Sequence, residues 1–249
     1  MSNYFLSLII LFSSFIFQNN VLVKIDYFDV DNLNNIYVLS DGELIKYNAK
    51  GKKLYTYSNN KLGDISYVDI SNPLKILAYF KEFNSLLILD NKLTEISNAY
   101  KLSNKLEDID IYCQSSNGGF WAFSTYTNSI IRLDKKLIIQ FENPINFKTD
   151  SEITCYKMVE HHNNIYLGTN KGIKVFDSLG NLKINIDYVD NQYFQIKENN
   201  LISTIKGTPV KINLRYFSFN ECYKTLEKKK YFELNSKKIL VEENKFTIE

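Results

Sequence analysis

Apolar and polar positions alternate along most of the chain, in short runs of about four to seven residues that are separated by turn residues. This period of two is the pattern of β-strands, because successive side chains of a strand point to opposite faces of its sheet. One unit of strand, turn, strand, turn and strand occupies Asn34–Leu54 and returns at Asn163–Lys183. No stretch shows the period of an amphipathic helix, so the pattern predicts an all-β protein.

The predicted strands fall into groups of four, and the second strand of each group recurs about every 40 residues. These second strands begin near Ile36, Ile76, Phe120, Ile165, Leu201 and Ile239. In the second and fifth groups, the fourth strand is predicted at Leu93–Ile96 and at Tyr216–Phe219. A period of about 40 residues with four strands per unit is the sequence pattern of a β-propeller, in which each unit forms one blade.

The last group contains only three strands, while the N-terminal strand Val21–Ile25 belongs to no group. Pairing of this strand with the last group would join the two ends of the ring and remove open sheet edges, which promote aggregation. We therefore predict a six-bladed β-propeller whose last blade is closed by an N-terminal strand, with residues 19–249 forming one domain. A pair of β-sandwiches or a large barrel is the alternative, which explains the grouping in fours less well.

The two best-preserved units carry the residues NNIYVLSDGELIKYNAKGKKL and NNIYLGTNKGIKVFDSLGNLK. They resemble blades of the exported β-propellers of the NHL, YVTN and two-component-sensor types, in which the pattern xxIYVxTxxGIxxFDxxG recurs. The resemblance covers residues 21–249 and fits several families, although the Trp-Asp and Gly-His signatures of WD40 repeats are absent. It implies an exported propeller without singling out one protein.

The N-terminal stretch Phe5–Phe17 is apolar and is interrupted only by serines. It is too short to span a bilayer comfortably, which takes about 20 residues. The stretch fits the apolar region of a secretory signal peptide, which we place at residues 1–18. No Lys or Arg precedes it, and Phe15–Gln18 lacks the small residues of a cleavage site, so an uncleaved anchor and a buried first strand stay open. We expect an exported protein, periplasmic or extracellular, with no membrane span in the mature chain.

Composition narrows the classes of partner. The chain has 30 basic and 28 acidic residues and a net charge of +2, which argues against binding to nucleic acid. No HExxH, CxxC, GxSxG, phosphate-binding or EF-hand pattern occurs, so we assign no catalytic residue, no metal ligand and no cofactor. We predict a non-catalytic, exported protein-interaction or scaffold module of the cell envelope, whose partner is another envelope protein.

The histidine, cysteine and tryptophan side chains are further candidates for chemistry or recognition. The only two histidines, His161 and His162, are expected in an exposed hairpin turn rather than on one metal ion. Cys113 and Cys155 fall on the innermost strands of neighbouring blades, where they are either buried thiols or a disulfide, which export would permit. Trp121 is expected to pack between blades, although an exposed Trp121 could anchor a peptide or a sugar.

Four acidic residues precede the innermost strands of four successive blades. They are Asp64, Asp108, Glu152 and Asp190. Such positions ring one mouth of a propeller channel, where carboxylates could hold a cation or a basic partner, so we take the four as candidate partner-binding residues. Acidic turn residues that solvate the rim are the alternative interpretation.

The acidic ring leaves two alternative functions open. It resembles the calcium-bearing lactonase propellers, which implies a metal-dependent hydrolase or lactonase, although the Glu and Asn ligands of that family cannot be located here. A sensor domain that binds a small molecule or a glycan is the other alternative.

Overall fold

The computed structural model describes residues 19–103, 106, 108–145, 152–187, 189–190, 192–206, 208–216, 218–221, 229–234 and 237–249. The predicted signal peptide, residues 1–18, lies outside the described residues, as does Cys222. The described part of the chain consists of strands and turns without an α-helix, and it therefore holds no helix long and apolar enough to cross a membrane.

The strands follow one another through the whole described chain. They are β1 (Asn19–Leu22), β2 (Tyr27–Val30), β3 (Ile36–Ser40), β4 (Glu43–Tyr47), β5 (Lys53–Tyr57), β6 (Tyr67–Asp69), β7 (Ile76–Phe80), β8 (Ser85–Leu89), β9 (Tyr100–Lys101), β10 (Ile111–Gln114), β11 (Phe120–Ser124), β12 (Ser129–Leu133), β13 (Ile139–Pro144), β14 (Cys155–His161), β15 (Asn164–Thr169), β16 (Gly172–Phe176), β17 (Leu182–Ile186), β18 (Gln195–Lys197), β19 (Asn200–Ile205), β20 (Thr208–Asn213), β21 (Ser218–Glu221), β22 (Lys230–Leu234), β23 (Lys237–Glu242) and β24 (Lys245–Ile248).

These strands form six antiparallel sheets of four strands each, which are the six blades of a β-propeller. Blades 1 to 5 are β2–β5, β6–β9, β10–β13, β14–β17 and β18–β21, and each is a meander of consecutive strands. Contacts join β6 to β10, β10 to β14, β19 to β22 and β22 to β2, so the blades follow the chain order around a closed ring. The predicted six-bladed all-β fold is confirmed.

Blade 6 has the strand order β1-β24-β23-β22, so the N-terminal strand closes the ring as predicted. The closing strand is shifted, however: it runs from Asn19 to Leu22 rather than over Val21–Ile25, and it pairs antiparallel with β24. Beyond β1, the amides of Val23 and Ile25 still donate to the turn between β23 and β24, at 3.1 and 2.9 Å. The chain there follows the turn instead of continuing the ladder.

The fourth strand of blade 2 corrects the prediction made from the alternating pattern. Leu93–Ile96 was predicted as this strand, whereas β9 consists of Tyr100–Lys101. Asp90 Oδ1 accepts hydrogen bonds from the amides of Lys92 and Thr94, both at 2.8 Å. These bonds hold Leu93 in the left-handed region at φ 61°, so the segment forms a turn before the edge strand begins.

The fourth strand of blade 5 is shifted for a similar reason. The prediction was Tyr216–Phe219, whereas β21 is Ser218–Glu221. Asn213 Oδ1 accepts hydrogen bonds from the amides of Arg215 and Tyr216 at 3.0 and 3.3 Å, which makes these residues part of the turn.

Aromatic rings fill the spaces between the blades. At the junction of blades 6 and 1, the ring centroid of Phe28 lies 4.9 Å from that of Phe232 and 5.4 Å from that of Phe246. Trp121 is 2% exposed and packs edge-on against Phe141 of its own blade, with centroids 5.7 Å apart. Its indole N–H donates to Glu160 on blade 4, which confirms its expected position between blades. The tight junctions keep the inner strands in a defined arrangement around the central channel.

Candidate functional site

The innermost strands carry unusual residues at one equivalent position. The third residue of each of the first four innermost strands is Asp29, Asp69, Cys113 and Lys157, respectively. All four are buried, although three of them have acidic or basic side chains of the kind that rarely enter a core without a partner. The centre of the ring is therefore a polar, charged region inside an apolar scaffold.

Lys157 and Asp29 form an ion pair at this centre. Lys157 Nζ lies 2.6 Å from Asp29 Oδ2, and the two side chains are 6% and 8% exposed. Because blades 1 and 4 face each other in a ring of six, the pair spans the channel. Lys157 Nζ also donates to the carbonyl oxygen of Phe194 at 2.7 Å and lies 5.1 Å from the centroid of its ring. The ammonium thus joins three blades.

Asp69 is the second buried carboxylate, and it is 2% exposed. Its Oδ1 accepts a hydrogen bond from the amide of Ser71 at 2.9 Å, and its Oδ2 accepts one from the amide of Gln114 at 2.7 Å. No basic side chain of the described residues forms an ion pair with it. Burial raises the pKa of Asp69 and the charge of Asp29 adds to this effect, while the backbone donors oppose it.

Two tyrosines from neighbouring blades meet beside these carboxylates. The rings of Tyr27 and Tyr67 are edge to face, with centroids 5.6 Å apart. Tyr67 Oη donates to the carbonyl oxygen of Met158 at 2.8 Å and accepts from the amide of Met158 at 3.0 Å, which links blade 2 to blade 4. Burial raises the pKa of both tyrosines well above its ordinary value, so both hydroxyls stay protonated.

Tyr67 lines two cavities, one on each side of this polar centre. The carboxyl-end cavity measures about 440 Å³ and lies where the innermost strands end. It is lined by residues 29–32, 34, 67, 69–71, 157–161 and 195–198. The amino-end cavity measures about 420 Å³, lies where these strands begin, and is lined by residues 24, 26, 27, 39, 41, 42, 64–67, 155, 156, 192 and 193.

The rim of the carboxyl-end cavity is held by side-chain contacts between blades 3, 4 and 5. Glu160 Oε2 accepts from Trp121 Nε1 at 2.7 Å, and its Oε1 accepts from the amide of Ser116 at 3.2 Å. His161 Nε2 lies 2.6 Å from the carbonyl oxygen of Glu198. Burial lowers the pKa of His161, and the neighbouring imidazole of His162 lowers it further, which favours the neutral ring.

The two histidines were expected in an exposed hairpin turn, and the structure confirms this for His162, which lies in the turn between β14 and β15. His161 ends β14 and is half-buried. Their rings stack with centroids 4.0 Å apart.

The predicted acidic ring is divided by the structure. Asp64 is exposed and lines the amino-end cavity. Asp190 forms an ion pair with Lys230, and its Oδ1 accepts from the amides of Gln192 and Tyr193, each at 3.1 Å. Asp108 and Glu152 are exposed, before β10 and β14. Within the described part of the chain, no three His, Cys, Asp or Glu side chains are grouped so that they could hold a metal ion.

The thiols at the innermost strands are not joined by a disulfide. Cys113 is buried and Cys155 is partly buried, and both are free. Burial raises the pKa of each thiol, and the charge of Asp69 adds to this effect at Cys113, whereas that of Asp110 adds to it at Cys155. Both groups are therefore poor nucleophiles.

The charged residues that form the centre of the site, Asp29, Asp69 and Lys157, were not among the residues predicted from the sequence. The available signal was a single charged residue inside an apolar strand, as in YFDV, SYVDI and CYKMV. In a propeller, such a residue on an innermost strand has only the channel or a blade junction to occupy.

No family model and no curated protein matches the chain. Among solved structures, a streptogramin B lyase is 14% identical with a TM-score of 0.58, covering 89% of this chain and 77% of that one. Virginiamycin B lyase from Staphylococcus aureus is 13% identical with a TM-score of 0.58, covering 93% and 87%. The extracellular domain of a protein described as a hybrid two-component system of B. thetaiotaomicron is 14% identical with a TM-score of 0.55, covering 89% and 33%. At these identities, the similarity shows the propeller fold alone.

Proposed function

We propose that this protein is a non-catalytic, exported recognition module of the cell envelope, which binds another envelope protein at its carboxyl-end cavity. The observation that carries the proposal is the cavity itself, an opening of about 440 Å³ whose floor is formed by innermost strands of opposite blades. Because hydrogen-bonded strands hold these floor residues, the cavity is preformed, and binding requires little rearrangement.

The contacts of the ionisable groups favour binding over turnover. Catalysis needs groups that can exchange protons or attack a substrate near neutral pH. Lys157 is engaged by Asp29 and Phe194, and the ring of His161 is engaged by a backbone carbonyl. The raised pKa of Cys113 keeps it in the thiol form. These side chains stabilise the ring, and the carboxyl-end cavity is suited to binding a partner.

The proposed location and partner follow from two independent features. Similar folds occur in extracellular domains of bacterial proteins described as one-component and hybrid two-component systems. The nearly balanced charge of the chain, with 30 basic and 28 acidic residues, disfavours nucleic acid and suits a protein partner.

A sensor domain for a small molecule or a glycan is the second candidate. The volume of the carboxyl-end cavity favours it, because pockets of about 300–1,000 Å³ typically hold small ligands. The third candidate, a metal-dependent hydrolase, requires that calcium raise and a chelator lower the melting temperature.

Site-specific photo-crosslinking in the native host tests the proposal. A photoreactive amino acid replaces Ser71, which is exposed and lines the carboxyl-end cavity, in the full-length chain. The control position is Leu179, which is 65% exposed in the turn between the outer strands of blade 4. We expect one discrete protein adduct from position 71 and none from position 179. If position 71 gives no protein adduct, or both positions give the same adducts, the proposal is wrong.

A further inference from the structure

We infer that the carboxyl-end cavity binds a cationic group, an alkylammonium or a guanidinium, and that the carboxylate of Asp69 pairs with this cation. This inference deepens the proposed function, on which it rests, by assigning the chemistry of the group that enters the cavity.

The other carboxylates in the wall of this cavity are already occupied. Asp31 accepts hydrogen bonds from the amides of Leu33 and Asn35 at 2.9 and 2.8 Å and from Tyr37 Oη at 3.2 Å, and its charge interacts with that of the buried Lys46. Asp29 is neutralised by Lys157. These two carboxylates therefore serve the scaffold and have little capacity left for a ligand.

Glu160 and Glu198 complete the acidic wall. Glu160 holds the indole of Trp121 and the amide of Ser116. Glu198 is exposed at the rim, where water solvates its charge. Asp69 differs from them, because it is buried and forms no ion pair with a basic side chain of the described residues, including the half-buried Lys197 of the same wall. Its hydrogen bonds come from two backbone amides and from the side chain of Ser71, which are neutral donors that do not cancel a full negative charge.

The charges around Asp69 do not balance. Asp29 faces it from β2, Tyr27 and Tyr67 contribute neutral hydroxyls, Cys113 contributes a thiol from β10, and Lys157 on β14 is committed to Asp29. Two buried carboxylates thus share one buried ammonium. Such an imbalance is unfavourable in a region shielded from water and is relieved either by a proton or by an external cation.

The cavity provides the room for the external cation. It opens beside Asp69 and Tyr67, and its volume of about 440 Å³ exceeds what an alkylammonium or guanidinium group occupies. An incoming cation would form a charge-assisted hydrogen bond with Asp69, and such bonds are about twice as strong as neutral ones. The proton competes for the same carboxylate, so binding should weaken as the pH falls.

A titration followed by amide NMR tests this inference on the full-length protein. The probes are butylammonium and methylguanidinium, with 1-butanol as the neutral control of matched size. The reporters are the amides of Gln114 and Ser71, which donate directly to Asp69. At about pH 8, where carboxylates are ionised, we expect both cations to shift these signals saturably. We expect no such response to 1-butanol.

Two variants identify the carboxylate that is responsible. Asp69→Asn should weaken butylammonium binding by at least about tenfold, because it removes the buried charge. Glu198→Gln removes an equal negative charge, but from the exposed rim, and should change binding by less than about twofold. If Asp69→Asn does not fold, the wild-type pH series decides, since affinity must fall as Asp69 is protonated.

The inference is overturned if neither cation gives a saturable shift. Equal responses to butylammonium and 1-butanol would overturn it as well, as would an affinity that does not depend on pH.

Separate arms distinguish a free amine from a protein side chain. The peptide acetyl-Gly-Gly-Lys-Gly-Gly-amide is compared with its norleucine counterpart. Binding of the lysine peptide supports a lysine of a protein partner as the source of the cation, whereas binding of butylammonium alone supports a free amine. A discrete adduct at position 71 without cation binding would refute this inference and leave the proposed function standing. Cation binding without an adduct would refute the proposed function and leave the cation site standing.

Discussion

Lys157 and Asp29 lie on opposite blades and form an ion pair across the central channel, with Nζ and Oδ2 separated by 2.6 Å. Both side chains of the pair are buried, so each charge depends on the other for its neutralisation. This single contact connects strands that are far apart in the sequence. The two residues therefore stabilise the fold, and both also line the carboxyl-end cavity.

Removal of one partner of this pair should therefore destabilise the protein strongly. We expect Lys157→Met to lower the free energy of unfolding by about 3–5 kcal/mol, because Asp29 would remain buried and unpaired. Addition of Asp29→Leu should restore most of the loss. Lys81→Met breaks the more exposed Lys81–Asp110 pair and serves as the control, with an expected loss under about 1 kcal/mol. Urea unfolding measures all three, and a loss at Lys157 no larger than at Lys81 would contradict the prediction.

Closure of blade 6 should depend on β1. We compare a chain that starts at Asn19 with one that starts at Val23 and so lacks β1. We expect the shorter chain to lose about 3 kcal/mol, since each ladder hydrogen bond contributes about 1 kcal/mol. This corresponds to a fall in melting temperature of about 6–12 °C. Calorimetry measures the fall and light scattering measures association through the exposed edge of β24. Equal melting temperatures would reject closure by β1.

The bond between Trp121 and Glu160 should be visible in fluorescence, because Trp121 is the only tryptophan of the chain. Glu160→Ala leaves the buried indole N–H without its acceptor, which should cost about 1–3 kcal/mol and change the emission spectrum. Glu198→Ala, at the exposed rim, should leave both stability and emission unchanged. An unchanged emission spectrum in Glu160→Ala would show that the hydrogen bond is not formed in solution.

The two described thiols should be unreactive in the folded protein. Burial raises the pKa of Cys113 and Cys155, so the reactive thiolate is scarce near neutral pH. In a Cys222→Ser background, we expect negligible alkylation of the native protein and complete alkylation after unfolding. Mass spectrometry counts the labels. Resistance to alkylation that only a reductant removes would instead show that the two cysteines form a disulfide.

Asp110 and Asp69 should affect the pH dependence of stability with opposite signs. Burial alone would raise the pKa of Asp110, but hydrogen bonds from Lys81 and Thr125 outweigh it and lower the value below 3.8. Its contribution to stability is therefore present above pH 3.8 and is lost as the pH falls through the lower, folded-state pKa. The pKa of Asp69 is raised, so its contribution is present below 3.8 and is lost as the pH rises through the folded-state value.

Urea unfolding across the acidic pH range checks this pair of signs. Asp110→Asn should remove part of the stability loss that occurs on acidification. Asp69→Asn should remove part of the loss that occurs as the pH rises from about 4, the usual pKa of a carboxyl group. The same pH profile for both variants would contradict the assignment.

Much of the fold was predictable because it depends on local chemistry. Alternation identified the inner strands, and turn residues separated them at a regular period. The prediction failed where a single side chain redirected the backbone. Leu93 and Ile96 have the spacing of strand residues, yet the carboxylate of Asp90 binds two amides and turns the chain between them. An apolar pattern cannot show that a turn continues for several residues beyond its first polar position.

The candidate site was less predictable than the fold. Asp64 was selected because it precedes an innermost strand, and it does line a cavity at that end of the channel. The buried charges lie elsewhere, on the third positions of the strands. Nothing in the sequence around Asp69 shows that Gln114 will donate to it or that no lysine of the described residues will form an ion pair with it, since both depend on the distances between blades.

The sequence by itself determined the all-β class, the number of blades and the closure of the ring by an N-terminal strand. These features follow from the period-two alternation and from the repeat length. Both are visible along the chain itself and do not depend on contacts between distant residues. Only the tertiary structure decided that Lys157 is neutralised by Asp29, whereas Asp69 has no basic partner among the described residues. The physical reason is that Coulomb interaction and desolvation depend on separation and burial in space, and the propeller brings together residues that the chain keeps far apart.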